Sequence, residues 1–245
     1  MNEPIETLLF DFGGTLDGNG VAWKERFYAY YRAEGLDMTS DAFESSFFAA
    51  DSPLVGNLAP ATDLAGTVHA LVANLEAELA RRAATTDKVP IANARSNGNR
   101  SARIASRFLS EASAAFARNR PVLELLQQRY RLGVVSNFYG KLEAVCRGAG
   151  LASLFSALVD SHCVGAEKPD PAIFKVALAK LRAEPRTTVL VGDSLRRDRE
   201  GARRTGMRFI WVVPQGVRVA EAEEMAPPPV EHTVTELRDL LKLLQ

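Results

Sequence analysis

The sequence predicts an α/β protein, a doubly wound parallel sheet interrupted once, after its first strand, by a helical insert. Three observations lead there. An apolar run, Leu8-Leu9-Phe10, preceded by Ile5, has the character of a central strand covered on both faces. Between residues 18 and 120 strand-like runs vanish and alanine-rich helical periodicity takes over. From residue 121 to residue 213 short apolar runs again alternate with helical stretches, the pattern of right-handed βαβ units.

Within the insert, Trp23, Phe27, Tyr30, Tyr31 and Glu34 follow helical spacing, and Gly35 stops that helix. Residues 40–50 carry Phe43, Phe47 and Phe48 on one face, with Pro53 close behind. Asp63 caps a longer helix running to about residue 84, striped by Val68, Leu71, Val72, Leu75 and Leu79. Residues 85–101 are polar, with Pro90, Gly98 and three asparagines, and read as a long mobile loop. Helical spacing resumes over 102–119 through Ile104, Phe108, Ala112 and Phe116. The expected organisation is a small helical bundle at 18–120 set into a core made of 1–17 and 121–245.

In the second part, a helix is expected at 122–130 and a strand at 132–135 that ends in Ser136-Asn137. A helix at 141–147 is closed by Gly148 and Gly150, a strand follows at 155–159, and a helix with proline at its start spans 171–182. The strand at 188–191 ends in Gly192-Asp193-Ser194, a helix at 197–204 is closed by Gly206, and a buried strand occupies 209–213. Residues 214–230, with three consecutive prolines, read as an irregular connection. Thr233-Val234-Thr235-Glu236 fits a capping box that opens the last helix.

Composition narrows the function classes. Acidic and basic residues balance at 30 each, so no global field draws nucleic acid or an anionic membrane, and neither is expected as a partner. The basic cluster Arg196, Arg197, Arg199, Arg203 and Arg204 reads as a solvated helix face, with Arg196 or Arg197 able to border an anionic substrate. Two cysteines, Cys146 and Cys163, make no disulfide framework. The acidic N-terminus lacks a signal-peptide pattern, and no apolar run approaches the roughly 20 residues that span a bilayer. A cytoplasmic protein is expected; its oligomeric state is not legible. His162-Cys163 lacks further ligands at metal-site spacing and reads as an ordinary loop.

Four polar signatures fall at strand or helix ends. They are Asp11-Phe12-Gly13-Gly14-Thr15, Ser136-Asn137, Lys168-Pro169-Asp170-Pro171, and Gly192-Asp193-Ser194 with Asp198 beyond. Ligand chemistry in open α/β sheets sits outside the carboxyl ends of the strands. There Asp11 supplies a carboxylate, Gly13 and Gly14 allow close backbone approach, and Thr15 adds a hydroxyl. In this order, with an insert after the first, the signatures resemble those of the haloacid dehalogenase-like superfamily of phosphatases and related hydrolases, over residues 5–17 and 121–213.

The resemblance implies a Rossmann-like core, a helical cap between the first and second motifs, and Mg²⁺-dependent hydrolysis of a small phosphorylated metabolite. By the same resemblance, Asp11 is the nucleophile, forming an aspartyl-phosphate. Mg²⁺ is held by Asp11, the Gly13 carbonyl, Asp193 and Asp198, whose oxygen donors suit a hard cation. Phosphate oxygens are held by Ser136 and by the amide of Asn137, with Thr15 and the amide of Gly14 helping. Lys168 neutralises developing charge and keeps Asp11 deprotonated.

One position departs from the pattern. Phosphatases of this family usually carry a second Asp two residues after the nucleophile, as general acid and then base, and here Gly13 stands there. General acid–base help is worth about 10²–10⁴-fold, so activity limited to good leaving groups is expected unless Asp17, Glu167 or a cap residue substitutes. Asp17 itself reads as a turn residue. The gap leaves two other readings open. One is a catalytically impaired relative that binds Mg²⁺ and phosphate ligands or a protein partner. The other is a metal-independent 2-haloacid dehalogenase, against which the retained Asp193 and Asp198 argue.

Overall fold

A computed structural model describes residues 3–85, 97–217, 230 and 232–244. Six parallel strands form one sheet in the order β3-β2-β1-β4-β5-β6. The strands are β1 (Thr7–Phe10), β2 (Arg131–Ser136), β3 (Ala157–Asp160), β4 (Thr188–Gly192), β5 (Arg208–Val212) and β6 (His232–Val234). β1 is central, with Phe10 registered against Val134 on one side and Val191 on the other.

Strand alternation explains why the first run is apolar throughout. Leu8 and Phe10 face one core, Leu9 faces the other, and all three are fully buried. Val134, Val189, Val191, Ile210 and Val212 join Leu8 and Phe10. Val135, Leu190 and Phe209 join Leu9 on the opposite face. That second face packs on α7 (Pro171–Leu181), through Ile173, Phe174 and Ala177, and on α8 (Glu200–Thr205) through Ala202. The Asp170 side chain accepts from the Ala172 amide at 2.8 Å, and Pro171 occupies the first turn, so α7 starts where the sequence places it.

Among the described residues, the helices between β1 and β2 are α1 (Trp23–Ala33), α2 (Ser40–Asp51), α3 (Leu64–Thr85) and α4 (Asn97–Gln127). Their aromatic stripe is interior: Phe27, Tyr31, Phe43 and Phe108 are fully buried in the core that also holds Leu8 and Phe10. Phe27 and Phe108 stack at 5.0 Å, joining α1 to α4. Arg100, buried on α4, pairs with Glu76 of α3 and lies 5.7 Å from the centre of the Tyr31 ring. Further helices among the described residues are α5 (Leu142–Gly148), α6 (Ser161–Val164) and a short one at Leu240–Leu243.

Several expectations are corrected. Helix α4 is continuous, so the helix expected at 122–130 is the end of α4, and the expected boundary at 120/121 falls inside it. Pro121 forgoes one ladder hydrogen bond without ending the helix. The loop expected at 85–101 is helical from Asn97 onward, and its centre lies outside the described residues. The strand expected at 155–159 starts later, after a 3₁₀ turn at Ala152–Leu154. The helix expected at 197–204 opens instead with a π turn, Leu195–Arg199. Thr233 lies in β6, a strand missed in the sequence because only three residues carry it. The capping box belongs to Glu236 and Asp239 around a 3₁₀ turn at Leu237–Asp239. Most of the connection expected at 214–230 lies outside the described residues. Among the described residues no helix is long and apolar enough to cross a membrane.

The packing of α8 on α7 tests the second core. A Cβ on Gly201 would sit 2.2 Å from a ring carbon of Phe174, which is fully buried. Overpacking costs about 1–3 kcal/mol, against roughly 1 kcal/mol gained in helix propensity. Gly201→Ala is therefore expected to lower stability on balance, measured as the urea midpoint of unfolding.

Candidate active site

The parallel register brings four strand ends to one edge. Asp11 follows β1 directly, and its amide donates to Val191 O at 2.9 Å, which aligns it with the end of β4. Ser136 and Asp160 are register partners at the ends of β2 and β3, and Gly192 pairs with Trp211. Around these ends lies a cavity of about 540 Å³, lined from the core by Asp11, Gly13, Ser136, Asn137, Lys168 and Asp193. The insert contributes Trp23, Phe47 and Asp51, among others, to the same lining.

Lys168 is the electrostatic pivot. Its ammonium is buried 2.7 Å from Asp11 Oδ1 and 2.6 Å from Asp198 Oδ1. Burial opposes its charge, but the two carboxylates outweigh that and hold its pKa above the ordinary lysine value. Asn137 positions it: the Lys168 amide donates to Asn137 Oδ1 at 2.7 Å, and Asn137 Nδ2 donates to Lys168 O at 3.2 Å. The Lys168–Pro169 peptide is cis.

Asp11, Asp193 and Asp198 each offer one oxygen, and these oxygens lie within 4.8 Å of one another. Burial first, then repulsion from Asp11 and Asp198, pushes the Asp193 carboxyl well above the usual range. Burial likewise lifts Asp198, to about 6, against the pull of Lys168. Three carboxylates facing one ammonium, all oxygen donors, suit a hard divalent cation such as Mg²⁺. Small residues make the crowding possible. A Cβ on Gly14, whose φ is +88°, would lie 2.5 Å from Asp193 Oδ2, and one on Gly192 would lie 2.4 Å from Asp198 Oδ2. Asp198 reaches back from the π turn, where its Oδ2 accepts the Ser194 amide at 3.0 Å.

Two expected phosphate contacts are committed elsewhere. The Gly14 amide donates to Asp17 Oδ1 at 2.7 Å, and the Thr15 hydroxyl donates to Asp193 Oδ1 at 2.9 Å. Thr15 therefore orients a carboxylate. Ser136 and Asn137 line the cavity.

Asp17 lies in a turn, as the sequence predicts, and is also a buried anchor. It is buried, and its carboxylate takes the Gly14 amide, Trp23 Nε1 at 2.7 Å and Arg26 Nη1 at 3.3 Å. Burial raises its pKa, with Arg26, the Gly14 amide and Trp23 opposing. Arg26 also donates to Asp17 O and Phe108 O and lies 3.9 Å over the Phe108 ring. This network ties the loop after β1 to α1 and α4. The sequence carried a signal for it, since Arg26 falls within the apolar stripe of α1, between Trp23 and Phe27. His162 lies against Gly56 and Gly140 and belongs to no acidic or thiol cluster among the described residues.

The same network explains Gly13. A Cβ there would meet Trp23 Nε1 at 3.2 Å. Asp17 anchors that indole, and edge contacts to Phe27, Phe108 and Phe138 hem it in. A Cβ at position 13 is thus tight against tryptophan, which would have to give by a few tenths of an ångström.

A family model described as haloacid dehalogenase-like hydrolase matches residues 5–206. Haloacid dehalogenase-like hydrolase domain-containing protein 3 of Bos taurus is 38% identical over 115 residues, 46% of this chain and 45% of that protein. A phosphoserine phosphatase of Thermus thermophilus is 42% identical over 76 residues, 31% of this chain and 30% of that one. The chain thus spans less than half the length of these two curated relatives in alignment. A crystal structure of a dehalogenase with an intermediate complex superposes with a TM-score of 0.61 over 100% of this chain and 99% of that one, at 18% identity, a likeness of fold.

Gly13→Asp is expected to push the Trp23 indole by a few tenths of an ångström against its Asp17 anchor. A loss of about 1–3 kcal/mol in unfolding free energy should follow, read by denaturant titration. No gain in turnover is expected with it.

Proposed function

The chain belongs to the haloacid dehalogenase-like hydrolase family, and we propose that it hydrolyses small phosphate monoesters through an aspartyl-phosphate on Asp11. The observation that supports this best is the convergence of Asp11, Asp193 and Asp198 around Lys168. Displacement of halide from carbon leaves a neutral ester, whose hydrolysis can use one carboxylate to activate water but calls for no cluster of acids able to hold a divalent cation. A phosphoryl group brings several negative oxygens and does need concentrated positive charge. Asp11, Asp193 and Asp198 would hold Mg²⁺, with the Gly13 carbonyl as an expected fourth donor. When bound, the ion supplies charge neutralisation and a template for the phosphoryl oxygens.

The chain's own groups do the rest. Asp11 presents a carboxylate at the end of a rigid central strand, so its approach to phosphorus is set by the sheet. Lys168 places fixed positive charge beside it. Ser136 and Asn137 border the space for the phosphoryl oxygens. The helical insert acts as the cap, walling the opposite side of the cavity and screening the attack from water. A volume of about 540 Å³ suits a small metabolite. Phosphatase names among the relatives support the same reaction class.

The test is phosphate release from a panel of phosphate esters, an acyl phosphate and 2-haloacids, with and without Mg²⁺. Mg²⁺-dependent release that disappears in Asp11→Asn is the expected result. Asp193→Asn should cut Mg²⁺-dependent turnover by at least about 100-fold, since metal-site carboxylates act as a set. Halide release without metal would replace this reading with the dehalogenase one. Silence across the panel, with Mg²⁺ still raising the melting temperature, would favour a binding role.

A further inference from the structure

We propose that Asp51, at the C-terminal end of α2 and hydrogen-bonded by Tyr139, protonates the leaving-group oxygen, the task Gly13 leaves unfilled. The inference rests on the phosphatase reading. Its starting point is the cavity itself, whose lining holds Asp11 and Asp51 together, the first from the core and the second from the insert. The protonable groups on that wall are few, and the others are committed. Lys168 is locked between Asp11 and Asp198. Glu25 and Glu44, about half exposed, are paired with Lys24. The two sequence candidates also fall away. Asp17 is sealed off under Trp23 and Arg26, and Glu167 is exposed outside the lining.

Asp51 has the surroundings of a proton carrier. It is the last residue of α2 and precedes a 3₁₀ turn at Ser52–Leu54, to whose amides its side chain makes no cap hydrogen bond, so the carboxyl is left to Tyr139 and the cavity. The groups facing it are Tyr139, from the loop after β2, Arg197 of the π turn, and Glu167 before α7. Burial raises the carboxyl above its ordinary value, Glu167 adds to that, and Tyr139 and Arg197 pull it back. Tyr139 itself is buried, with its hydroxyl held far above the usual phenol range by burial and by Asp51. Of the pair, the carboxyl is therefore the acid, and the phenol tunes it.

The chemistry balances. In the first step a bond forms between Asp11 and phosphorus and the bond to the ester oxygen breaks. That oxygen takes the Asp51 proton and leaves as the alcohol. In the second step the Asp51 carboxylate takes a proton from the water that attacks phosphorus, the bond to Asp11 breaks, and phosphate departs. Both residues regain their starting states.

The experiment compares wild type, Asp51→Asn and Tyr139→Phe on p-nitrophenyl phosphate and on a primary alkyl phosphate, with Mg²⁺, across pH. Nitrophenolate leaves without a proton, whereas an alkoxide does not. Asp51→Asn is expected to lose about 100-fold or more in kcat/KM on the alkyl ester and less than about 10-fold on the aryl ester. Tyr139→Phe removes a hydrogen bond that favours the Asp51 anion, so the alkaline limb of its alkyl-ester profile should move to higher pH. Equal losses on both esters, or none on the alkyl ester, would overturn the assignment while leaving the phosphatase reading intact. If Asp51→Asn does not fold, an unmoved alkaline limb in Tyr139→Phe overturns it instead. A wild type silent on both esters would sink the phosphatase reading and the assignment with it.

Discussion

A buried ammonium between two carboxylates sets the geometry of this protein. Lys168 comes from a loop ahead of α7, Asp11 from the end of β1 and Asp198 from a turn after β4. Ionised groups at this depth are tolerated only as partners, because an unpaired buried charge costs several kcal/mol. The three segments must therefore meet, and β1 and β4 must be neighbours for them to do so. Asp193 then enters a space made negative by Asp11 and Asp198, and it fits only because positions 14 and 192 are glycine. The site is thus assembled under electrostatic tension that a divalent cation is suited to relieve.

A second buried pair, Asp17 with Arg26, does for the insert what Lys168 does for the core. It joins the loop after β1 to α1 and, through Phe108, to α4. The tryptophan held by the same carboxylate fills the place beside Gly13. The missing side chain at position 13 and the packing of the insert are therefore one feature. On the proposed reading, acid–base work that relatives do two residues after the nucleophile would come from another wall of the cavity, where Asp51 and Tyr139 stand.

Much of this architecture is legible in the sequence. The run Leu8-Leu9-Phe10 is apolar at every position because β1 is covered on both faces, and that run located the centre of the sheet. Asp11, Ser136, Lys168 and Asp193 were each marked by a strand or helix end, where polar residues stand out against apolar neighbours. Less legible were residues whose meaning depends on distant partners. Asp17 sits among turn-forming residues and looked like one of them; only Trp23 and Arg26 make it a buried anchor. The sequence around Gly14 and Thr15 points to ligand contacts and gives no hint that Asp17 and Asp193 accept from their amide and hydroxyl. Asp51 closes an unremarkable helix, and its partner is 88 residues away.

The sequence by itself determined the alternation of strands and helices, the position of the insert and the residues at the strand ends, since local periodicity and chain punctuation encode these. The tertiary structure alone decided which of those residues touch, which donors are already taken, that Trp23 fills the space beside Gly13, and that a carboxyl on the insert lines the same cavity as Asp11. Those facts depend on packing between segments far apart in the chain, where distance and desolvation, which no local pattern records, set the strength of every charge.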